Sequence, residues 1–420
     1  MSAPASDFLR VLTERGFIHQ TSDLAGIDEL ARAGRLTTYV GYDCTAPSLH
    51  VGHLISIMML HWLQQTGAGR PIVLMGGGTT RVGDPSGRDE TRRILSLDDI
   101  EANKDSIRRV FARFIAFGEA GQEAVMADNA EWLAPLNYIE FLRDVGRHFS
   151  VNRMMAMDSV KLRLDREHEL SFIEFNYMLL QSYDFVELHR RYGVRMQMGG
   201  SDQWGNIVNG IDLGRRMGAE QLFALTAPLL TTSSGAKMGK TAAGAVWLNA
   251  DLLSAYEYWQ FWRNAEDADV GRFLKLFTLL PMDEIGRLAA LAGQEINEAK
   301  KVLATEATAL VHGHEAADAA QATATGAFVS RAFVTTLPTV ECPIGDLARG
   351  LTIGSALVIA GLARSTSEAR RAVANNAISV NDSRVLSDKR IVNLDDLREG
   401  KLIKLSSGRK NHILLKAIDD

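Results

Sequence analysis

Two β-rich runs separated by one helical pattern constrain this fold more than any other feature. They are LTTYVGYD (36–43) and RPIVLMGG (70–77), with a helical stretch from about Ser48 to Gln65 between them. β-Branched and aromatic residues fill both runs, and the second ends in glycines. Strand, helix, strand at this spacing is a βαβ unit, which requires a parallel sheet. The connecting helix contains LISIMMLHWL, apolar on nearly every side, as burial between a sheet and other helices demands. Ser48 is its expected N-cap and Gly67 its stop. VRMQMGGSDQWGNI (194–207) repeats the order strand, glycine turn, helix, and LFALTAPLLTT (222–232) is a strand and loop.

Around this unit the chain is mostly helical. Residues 7–34 read as one or two short amphipathic helices, and 98–190 are largely helical in pattern. From about Ser254 to Ala327 the pattern is helical and increasingly alanine-rich, and 328–342 looks like a linker. The last segment (343–420) has two helical stretches, then AISVND, RIVNLDD and KLIKLSSGRKNHILLK as short strands and turns.

At 420 residues the chain has room for two to three domains. No apolar run reaches the roughly 18 residues of a membrane span, and the N-terminus lacks a charged-then-apolar signal pattern, so a cytoplasmic protein with no membrane partner is expected. The two cysteines, Cys44 and Cys342, support neither a disulfide framework nor a cysteine-built zinc site. From Pro343 onward there are 13 Lys+Arg against 9 Asp+Glu, net +4, while the remainder carries 33 against 42, net −9. A basic tail on an acidic body suggests an anionic partner, although compositional scatter gives the same count.

The first chemical candidate is DCTAPSLHVGHL (43–54), where His50 and His53 stand three residues apart. They could be surface histidines of a helix. A metal site lacks partners, with Asp43 the only near carboxylate. A third reading rests on position: the pair opens a helix directly after a parallel strand, where open α/β sheets bind nucleotides. Unpaired N–H groups at a helix N-terminus attract phosphate, two imidazoles add donors, and Gly52 would let a purine lie against the backbone. The second candidate is SSGAKMGKT (233–241), a glycine-containing loop with Lys237 and Lys240 that can close over a polyphosphate. It is not a P-loop, because Ser234 stands where the first glycine belongs. GGGTTRVG fits no G-x-G-x-x-G register, and GGSDQ is not a nucleophile elbow.

Taken together, HVGH and KMGKT resemble the HIGH and KMSKS signatures of the class I aminoacyl-tRNA synthetases, with Gly239 and Thr241 in place of two serines. The order YVGYDCTAPSLHVGHL, GDPSG, FLRDVGRHFSVN, FIEFNYMLLQSYDF, GGSDQWGNI, KMGKT is similar to that of the bacterial tyrosyl-tRNA synthetase family over essentially the whole chain. That resemblance implies an α/β, Rossmann-like parallel-sheet catalytic domain (1–249) with a helical dimerisation insertion at about 125–175. An α-helical anticodon-side domain (250–330), a linker (331–349) and a small α+β RNA-binding module of the ribosomal-protein type (350–420) would follow. It implies a homodimer that activates L-tyrosine with ATP and Mg²⁺, holds no tight cofactor, and transfers tyrosine to tRNA(Tyr). His50, His53, Lys237 and Lys240 would contact the ATP phosphates. Asp43, Gly52, Asp202 and Gln203 would lie at the nucleotide or adenylate. Tyr39 and Asp184 would hold the phenol of the substrate, with Asp84, Tyr177, Gln181 and Gln197 around its ring and amino group.

Elementary chemistry supports part of this. Tyr177, Gln181 and Asp184 stand at i, i+4 and i+7, one face of a helix, among apolar neighbours. A phenol hydroxyl both donates and accepts, which a carboxylate and a tyrosine hydroxyl together satisfy. Tryptophan, with a donor and no acceptor, fits that pair less well. A tryptophan-activating relative and a non-catalytic RNA-binding homologue are the alternatives. In the tail, SEARRAVANNAISVNDSRV resembles the small RNA-binding module, with Arg370 and Arg371 on a helix. Arg364, Lys389, Arg390, Arg409 and Lys410 would add phosphate contacts. Phe141, Phe149 and Phe172 are the apolar candidates for a subunit interface.

Overall fold

The computed structural model describes residues 4–84, 95–166, 170–233, 235, 238–241, 244–325, 337–398, 401–408 and 411–418, without the side chains of 158, 159, 162, 240, 241 and 325. Two compact units emerge: residues 1–249 with 266–296, and residues 250–265 with 297–420.

The first unit is built on a sheet of β1 (Gln20–Thr21), β2 (Thr38–Tyr42), β3 (Pro71–Met75), β4 (Val125–Asp128), β5 (Met196–Gly200) and β6 (Phe223–Ala227). The spatial order is β1-β6-β5-β2-β3-β4, parallel except for the short β1. The strand order reverses direction between β2 and β5. Open α/β sheets bind ligands at the carboxyl ends of the strands flanking such a reversal. The helix Leu54–Gln65 fills the space behind this point, with nine of its twelve residues buried. The helix Phe172–Tyr192 begins at a reciprocal Ser171–Glu174 capping box and ends at Gly193 with φ +66°.

Several expectations need correction. Ser48 does not cap the helix: its hydroxyl donates to the Leu49 carbonyl and accepts from Asn249 N–H, and the chain turns at His50. Within 98–190, Val125–Asp128 is a strand, the sheet's outer member beside β3. Thr339–Pro343 is a strand and Ile344–Arg349 a helix, where composition reads as linker. Their order comes from pairing with a segment over seventy residues later. Residues 266–296 belong to the first unit because Arg15, itself buried, donates to the carbonyls of Lys275, Thr278 and Leu280. Phe141 points inward and packs edge-on against Tyr183, whereas Phe172 and Ile139 are both 71% exposed.

In the second unit, helices Ala255–Arg263 and His314–Thr325 pack together. Its C-terminal part is a five-stranded sheet containing Ile378–Val380, Ser383–Arg384, Leu402–Ser407, Asn411–Ile418 and Thr339–Pro343. Helices Ile353–Ile359 and Thr366–Ala374 share its core, with Leu357, Ala369, Val373, Ile403 and Leu415 buried. Among the described residues, no helix is long and apolar enough to cross a membrane.

Candidate active site

The segment leaving β2 carries Asp43 and His50. His50 is the N-cap of a single 3₁₀ turn, Val51–His53, which leads straight into the buried helix. Gly52 N–H donates to His50 Nδ1 at 3.0 Å, and His50 N–H donates to His53 Nδ1 at 3.2 Å. Each imidazole therefore accepts at Nδ1, so in the neutral ring the proton sits on Nε2. The rings lie 4.1 Å apart between centroids. A side chain at Gly52 would meet His50 first, its Cβ falling 2.7 Å from Cε1 and 2.9 Å from Nδ1.

The lysine loop reaches the same ring. Gly239 has φ +106°, and a Cβ there would stand 2.8 Å from His50 Nδ1. The approach is fixed by main-chain bonds from Val246 to the Gly239 carbonyl and from Val51 to the Val246 carbonyl, at 3.0 and 2.9 Å. The left-handed φ and the short approach both require glycine at the position where the resembling signature has serine. Lys240 lies in the two-residue strand Lys240–Thr241, while Lys237 lies outside the described residues.

On the other side of the reversal, Tyr39 of β2 and Gln197 of β5 are register partners, both buried. The helix Phe172–Tyr192 brings Tyr177 and Asp184 in as buried residues, with Gln181 between them half-buried. Tyr39 Oη, Gln181 Oε1 and Gln197 Oε1 are buried with no hydrogen-bond partner among the described residues. Buried polar atoms are normally satisfied, so three orphans together mark a place built for a polar guest. Gln203, at the end of the 3₁₀ turn Ser201–Gln203, donates to Asp84 at 3.0 Å and accepts from Gln181 at 3.3 Å. Asp202 sits beside it, its carboxylate close against Gly200. Tyr177 Oη lies 3.4 Å from Asp43, so a residue expected at the tyrosine and one expected at the nucleotide face each other.

Asp184 is held by two residues that sequence reasoning missed. Trp132 Nε1 donates to Oδ1 at 2.7 Å, and Asn129 Nδ2 donates to Oδ2 at 2.9 Å. Asn129 also donates to Thr79 Oγ1, and Thr79 donates to Asp43, so one buried chain of bonds runs from Asp184 to Asp43. Burial pushes the Asp184 carboxyl up to about 8; the bonds from Asn129 and Trp132 pull it down, and Asp43 and Asp128 push it up. Burial, with Asp184 nearby, also raises the Tyr39 phenol well above its ordinary value. The glycine run after β3 is spacing for this network, since a Cβ at Gly76 would fall 2.5 Å from Asp43 and one at Gly77 2.4 Å from Asp128. Among the described residues, no group of three His, Cys, Asp or Glu could hold a metal.

Residues 31–329 match the family described as tRNA synthetases class I (W and Y), and 329–415 match the tyrosine–tRNA ligase SYY-like C-terminal domain. The chain is 66% identical over 416 residues to the tyrosine–tRNA ligase of Nitrobacter winogradskyi, covering 99% of this chain and all of that one. It is 65% identical to that of Rhodopseudomonas palustris, with the same coverage. The C-terminally truncated mitochondrial tyrosyl-tRNA synthetase of Aspergillus nidulans superposes with a TM-score of 0.68 at 32% identity, over 76% of this chain and 94% of that one. Fold and sequence thus define a class I aminoacyl-tRNA synthetase of the branch that handles tryptophan or tyrosine. Within that branch, the chain belongs to the tyrosine–tRNA ligase family. It is a ligase whose substrates are L-tyrosine, ATP and tRNA(Tyr).

Proposed function

We propose that both steps of tyrosine transfer run at the carboxyl ends of β2 and β5, with the following division of labour. Tyr39 and Asp184 hold the phenol, Asp84, Tyr177, Gln181 and Gln197 surround the amino group and ring, and Asn129 and Trp132 fix Asp184. Asp43, Gly52, Asp202 and Gln203 receive the nucleotide. His50 and His53 point Nε2–H donors at the phosphates, and Lys237 and Lys240 supply positive charge from the loop. ATP arrives with Mg²⁺ as part of the substrate.

In the first step a tyrosine carboxylate oxygen attacks the α-phosphorus, and the bond to the bridging oxygen breaks. Pyrophosphate leaves carrying the charge. The nucleophile is the substrate's own, so the side chains position and stabilise without forming a covalent intermediate. Neutral imidazoles donating from Nε2 suit that task, since each donor is already aimed by its Nδ1 bond. In the second step the terminal ribose hydroxyl of tRNA attacks the adenylate carbonyl and AMP leaves.

The observation that carries this reading is the buried cradle of Tyr39, Gln181 and Gln197 with unsatisfied oxygens beside Asp184. A substrate with a phenol and an ammonium group satisfies such atoms, whereas phenylalanine leaves the phenol partners bare, at about 1–3 kcal/mol for each buried group. ATP–pyrophosphate exchange, run separately with tyrosine, tryptophan and phenylalanine, tests it. Lys240→Ala and His50→Ala should slow exchange with tyrosine affinity kept, and Tyr39→Phe should narrow the preference for tyrosine over phenylalanine. Lost tyrosine binding with the activation rate intact in the first two variants would refute the assignment.

Two further parts belong to the same reading. Tyr138, Ile139, Val151, Phe172 and Ile173, all in the helical insertion, are exposed, and exposed apolar side chains of this number suit a homodimer interface. The segment 250–330 serves the anticodon side of the tRNA, and the C-terminal sheet domain binds RNA through Arg364, Arg370, Arg371, Lys389 and Arg390. Arg409 and Lys410, also expected there, lie outside the described residues.

A further inference from the structure

The C-terminal domain contains a hollow of about 610 Å³ beside the hairpin formed by Ile378–Val380 and Ser383–Arg384. Among the described residues, four cations line it, Arg384, Lys389, Arg390 and Arg398, against one carboxylate, Asp396. Arg390 is engaged by Asp396, which leaves the other three cations without a carboxylate in the lining. Leu386 lines the same hollow and is 81% exposed, the most exposed large apolar side chain among the described residues.

The floor is rigid. Asn381 and Asp382 turn the hairpin with φ +47° and +67°. The Asn381 side chain is tied into the protein at both ends, donating to the Asp396 carbonyl and accepting from Lys404 N–H. Excess positive charge beside one bare apolar side chain suits a group with a phosphate at one end and a flat apolar face at the other. Single-stranded nucleic acid offers that combination: cations track the backbone, bases stack on aromatic side chains, and leucine can wedge against an unstacked base. The volume is of the size that encloses one small ligand.

We infer that this hollow takes one unstacked nucleotide of the bound tRNA, its phosphate held by Arg384 and Lys389 and its base lying on Leu386. The inference rests on the reading that this domain binds RNA. The contacts assigned to the nucleotide are to its phosphate and to the face of its base, which carry little sequence information, so the hollow accepts it chiefly by shape and charge.

The test uses the full chain and a tRNA(Tyr) transcript, with affinity measured across a salt series and ATP–pyrophosphate exchange as the control. Arg384→Ala and Lys389→Ala should each weaken binding and reduce the slope of log affinity against log salt by about 0.7, the value for one single-strand phosphate contact. Leu386→Ala should weaken binding measurably with the slope unchanged, and Leu386→Trp, which offers a true stacking face, should bind at least as tightly as the wild type. All three positions are exposed, so folding is not at stake, and exchange, which needs no tRNA, should stay at the wild-type rate in Arg384→Ala and Leu386→Ala. If the two cation variants weaken binding and Leu386→Ala does not, the domain binds RNA through phosphates alone and the nucleotide pocket is refuted. If none of the variants changes affinity, the hollow lies outside the RNA footprint and the pocket is again refuted. An affinity loss that differs strongly among tRNAs altered at single unpaired bases would overturn the claim that acceptance is chiefly by shape and charge.

Discussion

Gly52→Ala is the smallest change that tests the histidine geometry. The new methyl would sit 2.7 Å from His50 Cε1, where ordinary contact begins at 3.4 Å, so the ring must retreat by about 0.7 Å. It cannot do so and keep the 3.0 Å bond from Gly52 N–H to Nδ1, which both caps the turn and aims Nε2. Loss of a cap costs about 1 kcal/mol of stability, a shift of about 2–4 °C in a domain of this size. The kinetic effect should be larger, because displacing a catalytic donor by about 1 Å can cost on the order of 100-fold in rate. Adenylate formation measured by rapid quench without tRNA should fall about 10- to 100-fold, with tyrosine affinity by equilibrium dialysis within about twofold. Gly286→Ala is the control, since it lies in a helix with open space around its Cβ and should stabilise by about 0.4–1 kcal/mol without touching activity. Gly239→Ala pushes on the same imidazole from the loop side, so the double variant should lose less than the sum of the singles. Wild-type adenylate formation by Gly52→Ala would refute the claim that this cap orients His50.

The other expectations concern the pocket and the subunit surface. Trp132→Phe leaves one oxygen of the buried Asp184 carboxyl unsatisfied, a cost of about 1–3 kcal/mol, and should raise the tyrosine Kd about 5-fold or more with smaller effect on the activation rate. An unchanged Kd would mean that Trp132 only fills space. Asp184 has its carboxyl raised from 3.8 to about 8 in the fold, so the fold prefers the protonated form. Its contribution to stability is greatest below the ordinary carboxyl range and is lost as pH rises to about 8. The melting temperature of wild type minus that of Asp184→Asn should therefore fall between pH 5 and pH 8; a constant difference would contradict the buried-carboxyl assignment. Ile139→Asp puts a charge on the exposed apolar surface of the insertion and should yield monomer by sedimentation, and a variant that sediments like the wild type would move the interface elsewhere.

What could be read from the sequence divides along a physical line. Asp202 and Gln203 follow directly on β5, and His50 and His53 open the first turn after β2, so a local pattern of strand, turn and helix already places them at the sheet's carboxyl edge. Tyr177, Gln181 and Asp184 share one helix, and helical spacing alone puts them on one face. Their supports are nonlocal. Trp132 and Asn129 act on a carboxylate 52 and 55 residues later, and both follow a four-residue strand too short to stand out within a helix-rich stretch. The strand Thr339–Pro343 was illegible for the same reason: its order comes from Leu414–Ile418, and alone it shows only a proline and a charge among β-formers. Ser48 illustrates competition. Its hydroxyl has the chemistry of a cap, but Asn249, two hundred residues away, claims it, and a histidine takes the capping role. That exchange has a consequence for catalysis, since a serine cap would have left the His50 tautomer open. A cap made by His50 itself fixes where its proton lies, so the turn that starts the helix also aims the donor that the phosphates need.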